Sequence, residues 1–597
     1  MTSQTEARQA KLAPQPLAAP QQGQTALLAQ LLPWLVGLVF VLLVFPAGYL
    51  DGTAPLLVRP INDFLQHQTG ILAYLNEPWH WPPFDSALLA APAGTSLVFT
   101  DSLPGPTMVA KAIESLTGWR IPVLGWWMLA TYLLQPVAMA AVLRALGVER
   151  PLPLLAGAVL SLTLPWFLWR FGHSALAGHF LLLFQLALVL GLARARDPGR
   201  RLAAIGLLAC ATLLVHAYLF LMVAAVGFAG FADALRRRQI DWRLGLAGLL
   251  LWLCGVGIVL WVAGYLAFSQ PLWGFGYYSM NLLSPLVPQV SGLLPGFADW
   301  LVTDASFMAP PEAPPLRPYG GLADMIDATG GQYEGYAWVG VGVLLLLGVT
   351  LVRRRADLAE AWHRHRLLVL VLAGLGLLAV GNQVWLGHIR LLALPEPPGA
   401  LAAFRSNGRL IWPLLYLVIA LAIAATARLP RQRLATGLLL AAMALQVADA
   451  RPMLERLWHG LRADPAELFP AEVWRPLIAA HERLLVFPRY DCLGGHFEPA
   501  KELAFHAAAA GRPINTAQVS RQQDTDCQGD LASLLWRGVD PGTLLVILEP
   551  YAGWIGKWLS PQLDDYCRSF GGEVPGLACT VDWLALDRAG LAKGLAP

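Results

Sequence analysis

About eleven apolar blocks of roughly 17–25 residues punctuate this chain, each long enough to cross a hydrocarbon core of roughly 30 Å as a helix. They lie at roughly 27–46, 122–143, 153–169, 175–193, 202–216, 217–235, 244–268, 336–352, 367–381, 410–427 and 432–448. Water cannot accommodate so much apolar surface. Only 14% of the residues are charged, against about 25% in soluble domains, and the mean hydropathy is +0.53. The pattern predicts an α-helical polytopic membrane protein. Many of the 23 tryptophans stand near block ends, among them Trp34, Trp126, Trp166, Trp338 and Trp412, where an indole suits the headgroup level.

Arginine placement predicts the orientation. Arg194, Arg196, Arg200 and Arg201 fill one loop, Arg236, Arg237, Arg238 and Arg243 another, Arg353, Arg354, Arg355, Arg364 and Arg366 a third, and Arg428, Arg431 and Arg433 a fourth. The positive-inside rule assigns these loops to the cytoplasm. Residues 1–26 then read as a disordered cytoplasmic tail, 27–450 as the membrane domain, and the long loops 47–121, 269–335 and 382–409 as external. A net charge of +3, with basic residues confined to loops, speaks against a nucleic-acid partner. The spans show no internal repeat and almost no charge at mid-membrane, which argues against a transporter. The sequence LLVHAYLF around His216 reads as a tight turn or re-entrant hairpin in which the histidine is structural.

From about residue 451 the apolar blocks give way to short β-type runs, LLVF at 484–487, LLVILE at 544–549 and CTVDWLAL at 579–586, with helix-like stretches such as 499–511 between them. Residues 451–597 are therefore expected to form an external soluble α/β domain that serves binding or docking. Cys210 and Cys254 lie in apolar blocks and read as small buried hydrophobes. Cys492, Cys527, Cys567 and Cys579 all belong to this last quarter, where an even number in an oxidising compartment reads as two disulfides. Of the three possible pairings, chain locality favours Cys492–Cys527 and Cys567–Cys579.

The external loops hold the groups that can do chemistry. In RPINDFLQHQTG, Asp63 and His67 are four apart and share one helical face just beyond the first span. Asp63, partly desolvated there, suits a general base on an acceptor hydroxyl, the bland alternative being a capping or solvated pair. Asp101, in TDSLP, is a second acid or a helix cap. Gln332, Tyr333 and Glu334, in GGQYEG, suit hydrogen bonding to a polyol such as a sugar, and equally an ordinary turn. Arg405 and Arg409, in FRSNGR, suit chelation of a lipid phosphate, or simple snorkelling.

The segments NDFLQHQTG, PAGTSLVFTDSLP with the following Lys111, YYSMNLLSP, GGQYEGY and FRSNGRLIWP together resemble an uncharacterised bacterial family of polytopic membrane proteins, over about 40 to about 450. That family is similar in layout to the GT-C class of lipid-linked-sugar glycosyltransferases. The resemblance implies a multi-pass protein of a bacterial inner membrane, with its C-terminal domain periplasmic. It also implies inverting transfer of a sugar from a polyprenyl-phosphate donor to a glycan, lipid or protein acceptor. Asp63 matches the acidic residue of the first external loop that serves the class as base. The class often shows two adjacent acids there, whereas this chain has Asn62 and Asp63, so no metal and no other cofactor is expected. Arg405 and Lys111 would then neutralise the leaving phosphate. A non-catalytic component of envelope polysaccharide assembly or export is the competing expectation.

Overall fold

The computed structural model describes residues 23–267, 274–298, 325–493, 498–520, 527, 539–549, 551–552, 566–592 and 595. Most of the expected N-terminal tail, residues 1–22, lies outside them. The described helices used below are α1 (Gly23–Val44), α2 (Asn62–Asn76), α3 (Pro104–Thr117), α4 (Val123–Ala145), α5 (Pro151–Leu162), α6 (Pro165–Leu168, prolonged by a 3-10 turn Trp169–Gly172), α7 (Phe180–Leu190), α8 (Pro198–Leu213), α9 (Ala217–Arg236), α10 (Trp242–Val262), α11 (Val341–Arg353), α12 (Arg355–Val380), α13 (Trp412–Ala427), α14 (Gln432–Asp449), α15 (Arg451–Gly460) and α16 (Glu498–Ala509).

Every apolar block is helical, but fewer are full-length spans than the blocks suggest. Among the described residues six helices are long and apolar enough to cross a bilayer, or up to eight if the bent pairs α5–α6 and α14–α15 each count as one. The shortfall has local causes. Thr163 closes α5 before Pro165, whose ring is tolerated only in a first turn, so the chain bends by 47° there. The block at 175–193 gives only the 11-residue α7, because its first residues form turns instead. At His216 the chain does turn tightly, but α8 and α9 on either side are separate helices packed along each other.

Helix α4 sits centrally, packing on α1, α5 and α7 around Met128, Tyr132, Gln135 and Met139, all fully or almost fully buried. Helix α1 turns Leu31, Leu35, Leu38, Leu42 and Leu43 outward, and α10 does the same with Leu246, Leu250, Leu251, Leu253 and Ile258. Contiguous apolar surface on this scale is what lipid solvates. Cys254 belongs to that outer face of α10 and is exposed, so only Cys210 keeps a partly buried place. Trp166, Trp338 and Trp412 are not headgroup anchors: all three are fully buried, Trp166 stacked 6.1 Å from Trp412.

Antiparallel pairs β1–β2 (Asp85–Ser86, Thr95–Ser96) and β3–β4 (Gln383–Leu386, Ile389–Ala393) ornament two of the long loops. The C-terminal sheet comprises β5 (Arg483–Phe487), β6 (Thr543–Leu548), β7 (Cys567–Phe570) and β8 (Gly576–Cys579). It is mixed, in the order β5-β6-β8-β7: β5 and β6 run parallel, and β8 is antiparallel to both its neighbours. The first two strands fall where the apolar runs predict them. CTVDWLAL does not become a strand beyond Cys579; it turns into the helix Trp583–Arg588. Trp583 and Leu586, three apart, are its buried residues while Leu584 is exposed, which is helical rather than alternating periodicity.

The core of this sheet is not closed by the C-terminal residues alone. Leu484, Val486, Leu544 and Val546 pack with Leu503, Ala504 and Ala507 of α16, and with Ala73 of α2 and Leu89 of the first loop. Backbone hydrogen bonds join Ile514 to Leu88 and to Ala91, each at 2.8 Å, and Asn76 Nδ2 donates to Ala508 O at 2.7 Å. The first loop and the C-terminal domain thus share one core.

Cys492 bonds to Cys527 and Cys567 to Cys579, the latter pair being cross-strand partners on β7 and β8. The first bridge closes a separation of 35 residues, so replacing both its cysteines with serine is expected to destabilise this domain by about 2–4 kcal/mol on the loop-closure argument. Thermal unfolding under non-reducing conditions checks this; an unchanged melting temperature for the C-terminal domain would refute it.

Candidate active site

Helix α2 carries Asp63 in its first turn and His67 one turn later. Asp63 is half-buried and has no hydrogen-bond or ion-pair partner among the described residues. Burial raises its pKa to about 6; Lys501 pulls it down, Glu334 and Asp101 push it up, and Arg409 pulls it down. His67 is completely buried, and neither ring nitrogen has a hydrogen-bond partner among the described residues. Burial lowers its pKa to about 4, so the imidazole is neutral at physiological pH. Gly70, a further turn on, permits the approach of the next loop, since a Cβ there would collide with the hydroxyls of Thr100 and Ser102.

That loop presents Asp101. Its backbone is left-handed, at φ 55°, and α3 starts only at Pro104 with Leu103 as its cap, so the capping role is not realised. Asp101 instead faces two histidines, His173, which sequence reasoning missed, and His216, which it read as structural. Its Oδ2 lies 3.7 Å from His173 Nε2 and its Oδ1 3.4 Å from His216 Nε2. The ring centroids of His67 and His173 are 5.1 Å apart, and those of His173 and His216 are 5.4 Å apart. His216 is more than a turn residue: its Nδ1 accepts the Tyr218 backbone N–H at 3.1 Å and caps α9. Burial opposes ionisation of Asp101, but His216, aided by His67 and Arg409, outweighs it and holds the carboxyl below its usual value.

Glu334 is committed elsewhere. It binds Arg170 Nη1 at 2.6 Å and takes two bonds from Arg409, from Nε at 2.9 Å and from Nη2 at 2.7 Å. Arg170 Nη2 also donates to the Glu334 carbonyl at 2.7 Å. Burial alone would raise this carboxyl; Arg409 and Arg170 overcome that and hold it far below the usual range. Gly335 and Gly408 let the two strands of chain meet: a Cβ on Gly408 would stand 2.6 Å from Gly335 Cα. Glu334, Arg170 and Arg409 thus form a buried ion-paired triad.

Gln332 is also turned inward: its Oε1 accepts from Asn281 Nδ2 at 3.1 Å and from Ala328 N at 3.0 Å, and its Nε2 donates to Ser279 at 3.3 Å. Lys111 is buried and donates to the carbonyls of Tyr74 at 2.7 Å and Pro78 at 3.3 Å, which makes it a clamp on the end of α2 rather than a free cation. Tyr333 stays half-exposed, its ring 6.3 Å from Tyr278. Arg405 stays exposed, its guanidinium 5.9 Å from the Tyr278 ring and without a carboxylate partner among the described residues.

Asp63 thus lies within electrostatic reach of Asp101, Glu334, Arg409 and Lys501 of the C-terminal domain, and Arg405, Glu334 and Arg409 all act on Tyr278. The residues absent from sequence reasoning, Arg170 and His173, lie in WRFGH at the foot of α6. Polar groups closing an apolar helix carried the signal.

Among solved structures, the chain is similar to the arabinofuranosyltransferase AftD from Mycobacteria, at 15% identity and TM-score 0.47, over 94% of this chain and 40% of that one. It is also similar to the Archaeoglobus fulgidus oligosaccharyltransferase tethered to an acceptor peptide, at 10% identity and TM-score 0.43, over 94% of this chain and 74% of that one. The chain therefore spans less than half the length of the mycobacterial protein. No curated protein sequence matches it. Residues 34–451 match the family described as Domain of unknown function (DUF6311) and residues 473–574 match the DUF6311 C-terminal domain, and the chain is accordingly a member of the DUF6311 family.

Proposed function

We propose that this protein is a membrane glycosyltransferase that moves a sugar from a polyprenyl-phosphate donor to a glycan, lipid or protein acceptor. The observation that carries the reading is Asp63: an unpaired, half-buried carboxylate with a pKa near 6, among charges already paired with one another. In the reaction, Asp63 takes the proton of the acceptor hydroxyl as the acceptor oxygen bonds to the anomeric carbon. The bond from that carbon to the phosphate oxygen breaks, and the leaving polyprenyl phosphate keeps the electron pair. Attack opposite the leaving group inverts the anomeric centre. Arg405, exposed at the rim, meets the phosphate, and Tyr333 offers the sugar a hydrogen-bonding phenol. Lys111, Gln332, Glu334 and Arg409, each held by other protein groups, fix the walls.

In the same reading all eleven apolar blocks cross the membrane, and α2 and the C-terminal domain face the extracytoplasmic side of a bacterial inner membrane. Two disulfides in that domain support this sidedness, since a cytosolic domain would stay reduced.

The test is transfer by the purified protein in lipid vesicles containing polyprenyl-phosphate sugars, followed by mass spectrometry of added lipid, glycan and peptide acceptors. Consumption of a donor with formation of an inverted glycoside supports the proposal; folded protein inert toward a full panel of donors overturns it. Arg405→Ala is expected to raise the donor KM about tenfold with little change in the acceptor KM, because only the donor carries a phosphate. An unchanged donor KM would remove Arg405 from the site.

A further inference from the structure

We infer that His67, His173 and Asp101 form a binding site for one divalent transition-metal ion, one helical turn from Asp63. The inference stands independently of the transfer reaction.

A donor atom from each of the three residues lies within 4.8 Å of the other two. An ion with bonds of about 2.1 Å sets tetrahedral ligand atoms about 3.4 Å apart, so side-chain rotation of about an ångström closes the set. The Asp101 Oδ2 to His173 Nε2 separation of 3.7 Å is already close to that edge, and too long for a hydrogen bond.

A second observation is independent of this spacing. His67 is fully buried, yet both its nitrogens lack a hydrogen-bond partner among the described residues, and the buried Nδ1 of His173 lacks one as well. Buried polar atoms are nearly always satisfied, because leaving one unpaired forfeits its hydration without return. An ion between the rings returns it.

The placement of His216 completes the argument. With its Nδ1 accepting the Tyr218 N–H, its Nε2 lies 3.4 Å from Asp101 Oδ1. His216 therefore orients the carboxylate as an outer partner and leaves Oδ2 to the ion, the arrangement that commonly supports metal-ligating carboxylates. Two imidazoles and one carboxylate, without a thiolate, favour Zn²⁺, Co²⁺, Mn²⁺ or Fe²⁺ over Mg²⁺ or Ca²⁺. Three protein ligands leave a coordination position open to an oxygen ligand.

The full chain, purified in detergent and stripped with chelator, is titrated with Zn²⁺ by calorimetry and with Co²⁺ by visible absorption. One ion per chain is expected, with a zinc-edge X-ray absorption spectrum showing two imidazole ligands. His67→Ala and His173→Ala should each weaken binding at least tenfold, and His216→Ala less. Zn²⁺ should raise the melting temperature of the native chain but not of the two ligand variants. If those variants do not fold, the ligand count from the native protein's spectrum decides. Folded native protein that binds no stoichiometric ion overturns the inference, and so does equal binding by the variants, which would mean adventitious ions at surface histidines. No readout depends on sugar transfer, so failure of this site and failure of the proposed reaction are separately visible.

Discussion

Asp63→Asn is expected to reduce sugar transfer about 10²–10⁴-fold while leaving the protein folded, because the amide keeps the shape of the side chain but cannot take a proton. In the native protein the rate should rise with pH through about 6 and then level, as the carboxylate loses its proton. The charges that set this midpoint face Asp63 from four places: Lys501 and Arg409 favour ionisation, Glu334 and Asp101 oppose it, and burial exceeds them all. The stability consequence has the opposite sign from that of a salt-bridged acid. A folded pKa near 6 against the ordinary 3.8 means that between about pH 4 and 6 the folded chain holds a proton the unfolded chain has released. Stability therefore falls as pH rises across that window, and the ionised carboxylate costs of order 3 kcal/mol above it. Asp63→Asn should accordingly melt at the same or a higher temperature than the native chain at pH 7. Near-native turnover, or a rate independent of pH between 5 and 8, would remove the general-base role.

Glu334→Ala is expected to lower stability by about 3–5 kcal/mol, since it strands two cations. Arg170 is 4% exposed and Arg409 5%, and the carboxylate between them is their common counter-charge. Glu334→Gln should recover part of the loss through hydrogen bonds without recovering the charge, and Arg405→Ala, at an exposed side chain, should leave stability unchanged. Thermal unfolding of the four proteins side by side provides the measurement. A Glu334→Ala protein as stable as the native one would show that solvent reaches both guanidinium groups.

The helices were legible because hydropathy is a local property; so was the general position of Asp63, a carboxylate placed just past an apolar block. The histidine cluster was not, since it joins residues 67, 101, 173 and 216, whose meeting depends on how four separate segments of the chain pack. The triad poses the same difficulty: Glu334 is 164 positions from Arg170 and 75 from Arg409, and neither arginine is distinguishable in sequence from one that snorkels to headgroups. Lys111 shows the converse error. The resemblance sets it against a leaving phosphate, and only the carbonyls of Tyr74 and Pro78 around it reveal a buried clamp.

The shared core between α2 and the C-terminal sheet also sets a clock on biosynthesis. Asn76 and its partner Ala508 are separated by 432 residues, so at about 5–20 residues per second a ribosome needs about 20–90 s to supply the second after the first. Throughout that interval Leu72, Ala73 and Leu89 have no partner from α16 or the sheet, and the helix bearing Asp63 and His67 lacks the packing that fixes its pose. A nascent chain thus waits with the helix that bears Asp63 uncovered until its last fifth emerges, and a ribosome stalled or a message truncated after residue 450 yields the membrane helices without the packing that covers α2.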